Sequence, residues 1–267
     1  MGALAMALHE NRLLASLSPD ARARLQPGLE SVSLTKGMSL WEVGDVVRHT
    51  YFPTEGLVSL VALTAEGNAV ELASVAREGV VGLPILLQAR MASHQALVRL
   101  EGAALRLSAT TLHDEMQRHE GLRSTLLAYA HRVSGEMAQA VVCQCYHNVL
   151  QRLCRWLLAA SDSTGSDALE LTHESLAAAL GVLRSVLTEA ALELQDADAI
   201  RCRHGRIVIR NRVLLLRSAC ECYEATRTTR AGEETAQRRF APTRKTTMNS
   251  QHSLATDATP AADNAEE

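Results

Sequence analysis

The stretch HESLAAALGVLRSVLTEAALEL, His173 to Leu194, reads as two short amphipathic helices hinged at a glycine. Leu176, Leu180, Val182, Leu187 and Ala190 supply the apolar sides that face each other, and Ala177 is small enough for a close crossing. Gly181 can take the left-handed conformation that ends a helix without a Cβ penalty. Thr172 stands where a hydroxyl caps the first helix, and Glu174 lies near that helix's positive end. The pattern predicts a helix-turn-helix whose second helix offers Arg184, Ser185, Thr188, Glu189 and Leu192 on its free face. Arginine near the start of such a helix can pair bidentately with guanine, serine or threonine can reach bases and phosphates, and Glu189 can accept from cytosine N4 or repel phosphate and enforce register. A helical pair packed in a core shows the same glycine hinge, so the neighbouring segments decide between the two readings.

Downstream, AIRCRHGRIVIRN (199–211) alternates apolar and polar residues on both sides of His204-Gly205, which predicts a β-hairpin with arginines on both arms. Helix, turn, helix and basic hairpin together make a winged helix-turn-helix. The net charge of −3 announces no nucleic-acid binder, but Arg201 to Arg217 holds six arginines and no acid, a local stripe suited to a phosphate backbone. Thr172, Arg184, Ser185, Thr188, Glu189, Arg201, Arg203, His204 and Arg206 are the expected DNA-contacting set.

Upstream, from about Ser31 to Leu107, short apolar stretches are separated by glycines at 37, 44, 56, 67, 79 and 102, the punctuation of an antiparallel sandwich or roll. An amphipathic helix, His9 to Leu17, and a second one opened by Ser18-Pro19 precede it. From about Glu120 to Cys145, Leu122, Leu126, Tyr129, Val133, Met137, Ala140 and Gln144 recur at steps of three and four, close to a coiled-coil seam. A helix of roughly 25 residues, about 38 Å long, exceeds what one small core needs, so this stripe is expected to pair with a second copy of the chain. The alternative is burial against the chain's own roll. A further helix spans Asn148 to Ala160, and the Thr-, Ala- and charge-rich segment from Ala225 onward is expected to be disordered, its Arg238, Arg239, Arg244 and Lys245 reading as solvated charge, with weak added DNA contacts as the alternative.

Aromatic residues make up only 3% of the 267, so the core must be aliphatic. No apolar run is long enough to cross a bilayer and the N-terminus lacks a basic region before its apolar stretch, which predicts a cytoplasmic protein without a membrane partner. The six cysteines, Cys143, Cys145, Cys154, Cys202, Cys220 and Cys222, carry no secretory context and read as reduced thiols. Cys143 and His147 are four apart and could begin a metal site, yet no Cys-x-x-Cys pair accompanies them, and alternation is expected to separate the side chains of Cys220 and Cys222, so no metal set is expected. No nucleophile elbow, zinc-protease motif, phosphate-binding glycine loop or dinucleotide fingerprint is present, which argues against an enzyme and leaves no catalytic residue to name.

The whole order resembles the Crp/Fnr family of bacterial transcription regulators over about Asn11 to Arg227. The stretches that carry the likeness are SLWEVGDVVRHTYFPTEGLVSLV, VELASVAREGVVGLP, QRLCRWLL, LTHESLAAALGVLRSVLTEAALELQ and ACECY. The resemblance implies an α+β chain: a cyclic-nucleotide-binding-like β roll (double-stranded β-helix) as effector domain over residues 9–118, a long dimerisation helix over 119–146, a winged helix-turn-helix over 147–224, and the tail 225–267. It further implies a homodimer that binds an inverted repeat in double-stranded DNA with its reading helices about 34 Å apart, and RNA polymerase as a further partner. Family members that bind nucleotide use a Gly-Glu pair for the ribose and an Arg-Ser pair for the cyclic phosphate. Here Gly82-Leu83 and His94-Gln95 occupy those places, so the effector pocket lacks both the ribose acceptor and the fixed cation, and no cofactor is expected. The iron–sulfur members carry N-terminal cysteines, and none precedes Cys143. Arg184 matches the family's base-contacting arginine, whereas Leu183 stands at a usually polar position and denies the reading helix a side-chain cap. Two other readings remain: an interaction module whose winged domain docks on a protein, and a regulator that senses redox state through thiols or a metal.

Overall fold

The structure of the protein, a computed structural model, describes residues 7–228. Two short helices, α1 (Arg12–Ser16) and α2 (Pro19–Leu25), open the chain after a helical turn at residues 7–10. Asn11 caps α1 through its Oδ1, while its Nδ2 donates to the carbonyls of Pro53 and Gly79, both at 2.9 Å. One fully buried amide thus ties the start of α1 to the end of β3 and to the loop at Gly79, with every polar atom used.

The roll is built from β1 (Glu30–Leu34), β2 (Ser39–Trp41), β3 (His49–Pro53), β4 (Leu57–Leu63), β5 (Ala69–Val75), the short helix α3 (Leu83–Leu86), β6 (Gln95–Leu100) and β7 (Gly102–Ser108). Its strands form two antiparallel sheets, β1-β7-β3 and β2-β6-β4-β5. The hairpin expected around Gly67-Asn68 joins β4 and β5, with Gly67 at φ +84°. Phe52, Val58, Leu60, Leu105 and Leu107 fill the space between the sheets, an aliphatic core with few rings, as the composition required.

Two helices then run across the roll: α4 (Ala109–Arg118) and α5 (Glu120–Tyr146). The 27-residue α5 has the expected length, but its apolar stripe is not where a partner could reach it. Leu122, Leu126, Tyr129 and Val133 are buried in the roll core of the same chain, and Met137 packs partly against it. Ala140 is half-buried beside a cleft instead. The reason lies in the roll: at Gly79 a Cβ would lie 2.6 Å or less from the Tyr129 ring, so this glycine lets the helix settle on the backbone of the roll, and the Tyr129 hydroxyl donates to the Val80 carbonyl at 3.0 Å. The expectation that the stripe is the dimer seam is therefore corrected. The open face of α5 carries Leu127, Ala138, Val141, Val142 and Cys145.

The last unit comprises α6 (Val149–Thr164), β8 (Ala168–Leu169), α7 (His173–Leu180), α8 (Arg184–Asp196), β9 (Ile200–Arg203), β10 (Arg206–Ile209) and α9 (Arg212–Ser218), with a small sheet in the order β8-β10-β9. A capping box between Asn148 and Gln151 starts α6, and left-handed Gly165 ends it. The core of this unit holds Leu153, Leu157, Leu176, Leu180, Leu187 and Ile207, and it also takes in Leu57 and Leu100 from the roll. The two units are thus docked on each other. Residues 222–228 are helical, so the first residues of the expected disordered tail are ordered, while the remainder of that segment lies outside the described residues. Among the described residues no single helix is long and apolar enough to cross a membrane.

Candidate nucleic-acid interface

Helices α7 and α8 are bent by 110° at the turn, inside the range of DNA-reading helical pairs. Thr172 caps α7 by accepting from Ser175 N at 3.1 Å, and Gly181 closes it in the left-handed region at φ +61°. The start of α8 has no side-chain cap: Leu183 stands there, 73% exposed. The uncapped amides and the positive end of this helix therefore face solvent, an arrangement suited to a phosphate.

On the outer face of α8, Arg184, Ser185, Val186, Glu189 and Leu192 are exposed. Thr188, expected among the readers, is half-buried: its hydroxyl donates to the Arg184 carbonyl at 2.8 Å and lies 3.1 Å from His173 Nδ1. That side chain braces α7 against α8 instead of reaching outward. Burial, with Arg184 nearby, holds the His173 pKa below its ordinary value.

The hairpin of β9 and β10 turns at His204 and Gly205, with φ +49° and +75°. Arg201, Arg203, His204 and Arg206 are all exposed, and the register sets Arg203 directly opposite Arg206. Like charges facing each other across a hairpin repel, and a polyanion between them would relieve that repulsion. Arg206 also meets Glu170 at 3.1 Å, an exposed pair of little strength. The basic stripe is shorter than its sequence span, because Arg212 turns inward to Asp162 and to the Tyr223 hydroxyl.

The four expected effector residues each make contacts of their own. Gly82 and Leu83 open α3, with Leu83 buried in the roll core. His94 is buried, burial lowers its pKa, its Nε2 has no partner, and its carbonyl accepts from Trp41 Nε1 at 3.0 Å. Gln95 donates to the Glu42 carboxylate at 2.9–3.0 Å. A cleft of about 1020 Å³, lined in part by Arg12, Glu71, Arg132 and Trp156, lies where the roll, α5 and α6 meet, and a second of about 410 Å³ opens beside Trp41 and Tyr51. Neither is lined by any of the four.

Spacing along the chain hid a further group. Cys143, His147, Cys220 and Cys222 place one ligand atom each within 4.8 Å of one another. Cys143 comes from the last turn of α5 and His147 is the residue that ends it, while Cys220 and Cys222 follow α9. The expected divergence of Cys220 and Cys222 fails because the segment is not a strand: the chain turns there, with Tyr223 N donating to the Cys220 carbonyl. A hydrogen bond from Cys220 pulls the Cys143 pKa down. Cys145 is exposed and Cys154 is buried, both outside the group.

Comparison with known proteins agrees with this architecture. Residues 31–119 match the cyclic nucleotide-binding domain model and residues 151–218 the Crp-like helix-turn-helix domain model. The transcriptional regulator SdrP of Thermus thermophilus is 31% identical over 179 residues, which cover 62% of this chain and 86% of that protein. Among solved structures, a Crp/Fnr-family transcriptional regulator, also from Thermus thermophilus, is 25% identical with a TM-score of 0.58, covering 71% of this chain and 98% of that one. FixK2 from Bradyrhizobium japonicum shares the fold at 15% identity with a TM-score of 0.63, covering 72% of this chain and 98% of that one. Roll, long helix and winged helix-turn-helix, in that order along one chain, leave one assignment: the chain belongs to the Crp/Fnr family of transcription regulators.

Proposed function

We propose that the protein acts as a homodimer that reads an inverted repeat in duplex DNA, with no cyclic nucleotide held in the family's usual way. The observation that carries the DNA reading is the shared exposure of Arg184 at the uncapped start of α8 and of Arg201, Arg203 and Arg206 on the hairpin beside it. Base edges are within the reach of the first set and phosphates of the second. The open face of α5, with Leu127 at 37%, Val142 at 43% and Val141 at 60% exposure, supports pairing with a second copy, since apolar side chains at helical spacing gain by leaving water. In this reading the two α5 helices set the reading helices one DNA turn apart, about 34 Å. The protein then works in the cytoplasm, with RNA polymerase as the partner of its DNA-bound form, and no catalytic residue is assigned.

Against the usual nucleotide mode stand the burial of Leu83, which has no oxygen to accept from a ribose, and a buried His94 whose environment disfavours the cation a cyclic phosphate needs. Selection of bound sequences from random duplex DNA, with and without cyclic AMP and cyclic GMP, tests both parts. An enriched inverted repeat that does not respond to either nucleotide is expected. Enrichment only with nucleotide overturns the pocket reading, and no enrichment at low salt overturns the DNA reading.

A further inference from the structure

We propose that Cys143, His147, Cys220 and Cys222 form a closed Cys3His site for a single zinc ion, which fastens the end of the winged domain to the end of the long helix. The argument begins with geometry. A tetrahedral zinc ion with Zn–S bonds of about 2.3 Å and a Zn–N bond of about 2.0–2.1 Å sets its ligand atoms about 3.8 Å apart for two sulfurs and about 3.6 Å apart for sulfur and nitrogen. Cys143 Sγ and Cys220 Sγ are 3.6 Å apart, and Cys222 Sγ and His147 Nδ1 are 3.5 Å apart. All four atoms lie within 4.8 Å of one another, so they surround one point. A multi-iron cluster would hold its thiolates on separate irons and hence farther apart.

The outer partners fit as well. His147 Nε2 lies 3.1 Å from the Glu221 carboxylate, which keeps the proton on that nitrogen and leaves the Nδ1 lone pair turned toward the thiols. The Gln139 amide donates to Cys222 Sγ at 3.0 Å, a contact that stabilises a thiolate. Three sulfurs and an imidazole make a soft donor set that suits zinc and not calcium or magnesium, and four protein ligands leave no open position for chemistry. The three thiols are buried, so the site is shielded from exchange.

Cys143 and Cys220 are 77 residues apart in sequence, and the whole winged domain lies between them. An ion held there closes that segment into a loop and fixes the winged domain on the end of α5 through metal bonds. The site is independent of the DNA reading proposed above.

Full-length protein purified under reducing conditions, loaded with zinc and dialysed, is the material for the test. One zinc per chain is expected by elemental analysis, and replacement by Co2+ should give thiolate-to-cobalt charge-transfer absorption with tetrahedral ligand-field bands. Cys143→Ser and Cys222→Ser should each lower retained metal by roughly tenfold or more, and Cys145→Ser should leave it unchanged. Should the serine variants fail to fold, alkylation of the wild-type protein decides: three thiols should become reactive only after chelation. Wild-type protein that retains no zinc, equal loss in Cys145→Ser, the same alkylation pattern with and without chelator, or Cys143 and Cys220 recovered as a disulfide each overturn the proposal.

Discussion

Arg99, on β6 of the roll, donates from Nη1 to the Ser175 carbonyl at 3.0 Å, and Ser175 lies in the first helix of the helix-turn-helix. The same guanidinium donates from Nε to Ser59 Oγ at 3.2 Å, and Ser59 donates to Glu71, whose other oxygen accepts from Trp156 Nε1 at 2.9 Å. A buried polar chain therefore crosses from the roll to α7 and α6, and its members are worth more together than singly.

Arg99→Ala should destabilise the protein by about 1–3 kcal/mol, because it leaves buried acceptors on both units without their donor. Ser175→Ala removes only a hydroxyl, since the backbone carbonyl stays, and should cost about 1 kcal/mol or less. Urea unfolding of the two variants checks the order.

Glu71 supplies a pH test. Burial raises its pKa above the ordinary 4.5, against the opposing pull of Arg99, Ser59 and Trp156. The folded state therefore binds more protons than the unfolded one between pH 4.5 and the raised value. Stability contributed by this group is full below that window, falls as pH rises through it, and is level above it. Glu71→Gln should abolish this component, so the difference in urea midpoint between wild type and variant should change with pH in that window alone.

Two arginines should separate by role in DNA binding. Arg184→Ala should weaken operator binding by about 1–3 kcal/mol and relax selectivity at one base position. Arg203→Ala should weaken all sequences alike and reduce the salt slope by about 1. Arg212→Ala, although drawn from the same basic run, should leave DNA affinity unchanged and lower stability, because its side chain bonds Asp162 and Tyr223.

The two faces of α5 should also separate. Leu126→Ala opens a cavity in the roll core and should cost about 2–5 kcal/mol of stability without altering self-association. Val142→Asp, on the open face, should break the dimer and leave the monomer folded, as read by sedimentation and circular dichroism.

The winged domain was legible because its cues are local. A capping hydroxyl at Thr172, left-handed Gly181 and the His204-Gly205 turn act within a few residues of themselves, and each took the expected conformation. The face of α5 was not legible: its stripe has a coiled-coil period, but a period does not name the surface that covers it. The answer lay in Gly79, 50 residues away, which admits the Tyr129 ring. The thiol group escaped for the same reason. Ligand spacing along the chain does not bring Cys143 to Cys220, which meet only once α9 has returned to the end of α5. Helical phase alone points Thr188 outward and does not reveal that Arg184 and His173 already occupy its hydroxyl.

The roll grips one side of α5 through Leu126 and Tyr129, and a partner copy is expected on the other. A rotation of this helix by one residue, about 100°, would drag buried leucines into water and bury the polar flank in their place. The helix therefore cannot serve as an axle that transmits torque from roll to winged domain. A signal from the roll therefore reaches the winged domain through the contacts the two share, such as Arg99 with Ser175, and not through a turn of α5.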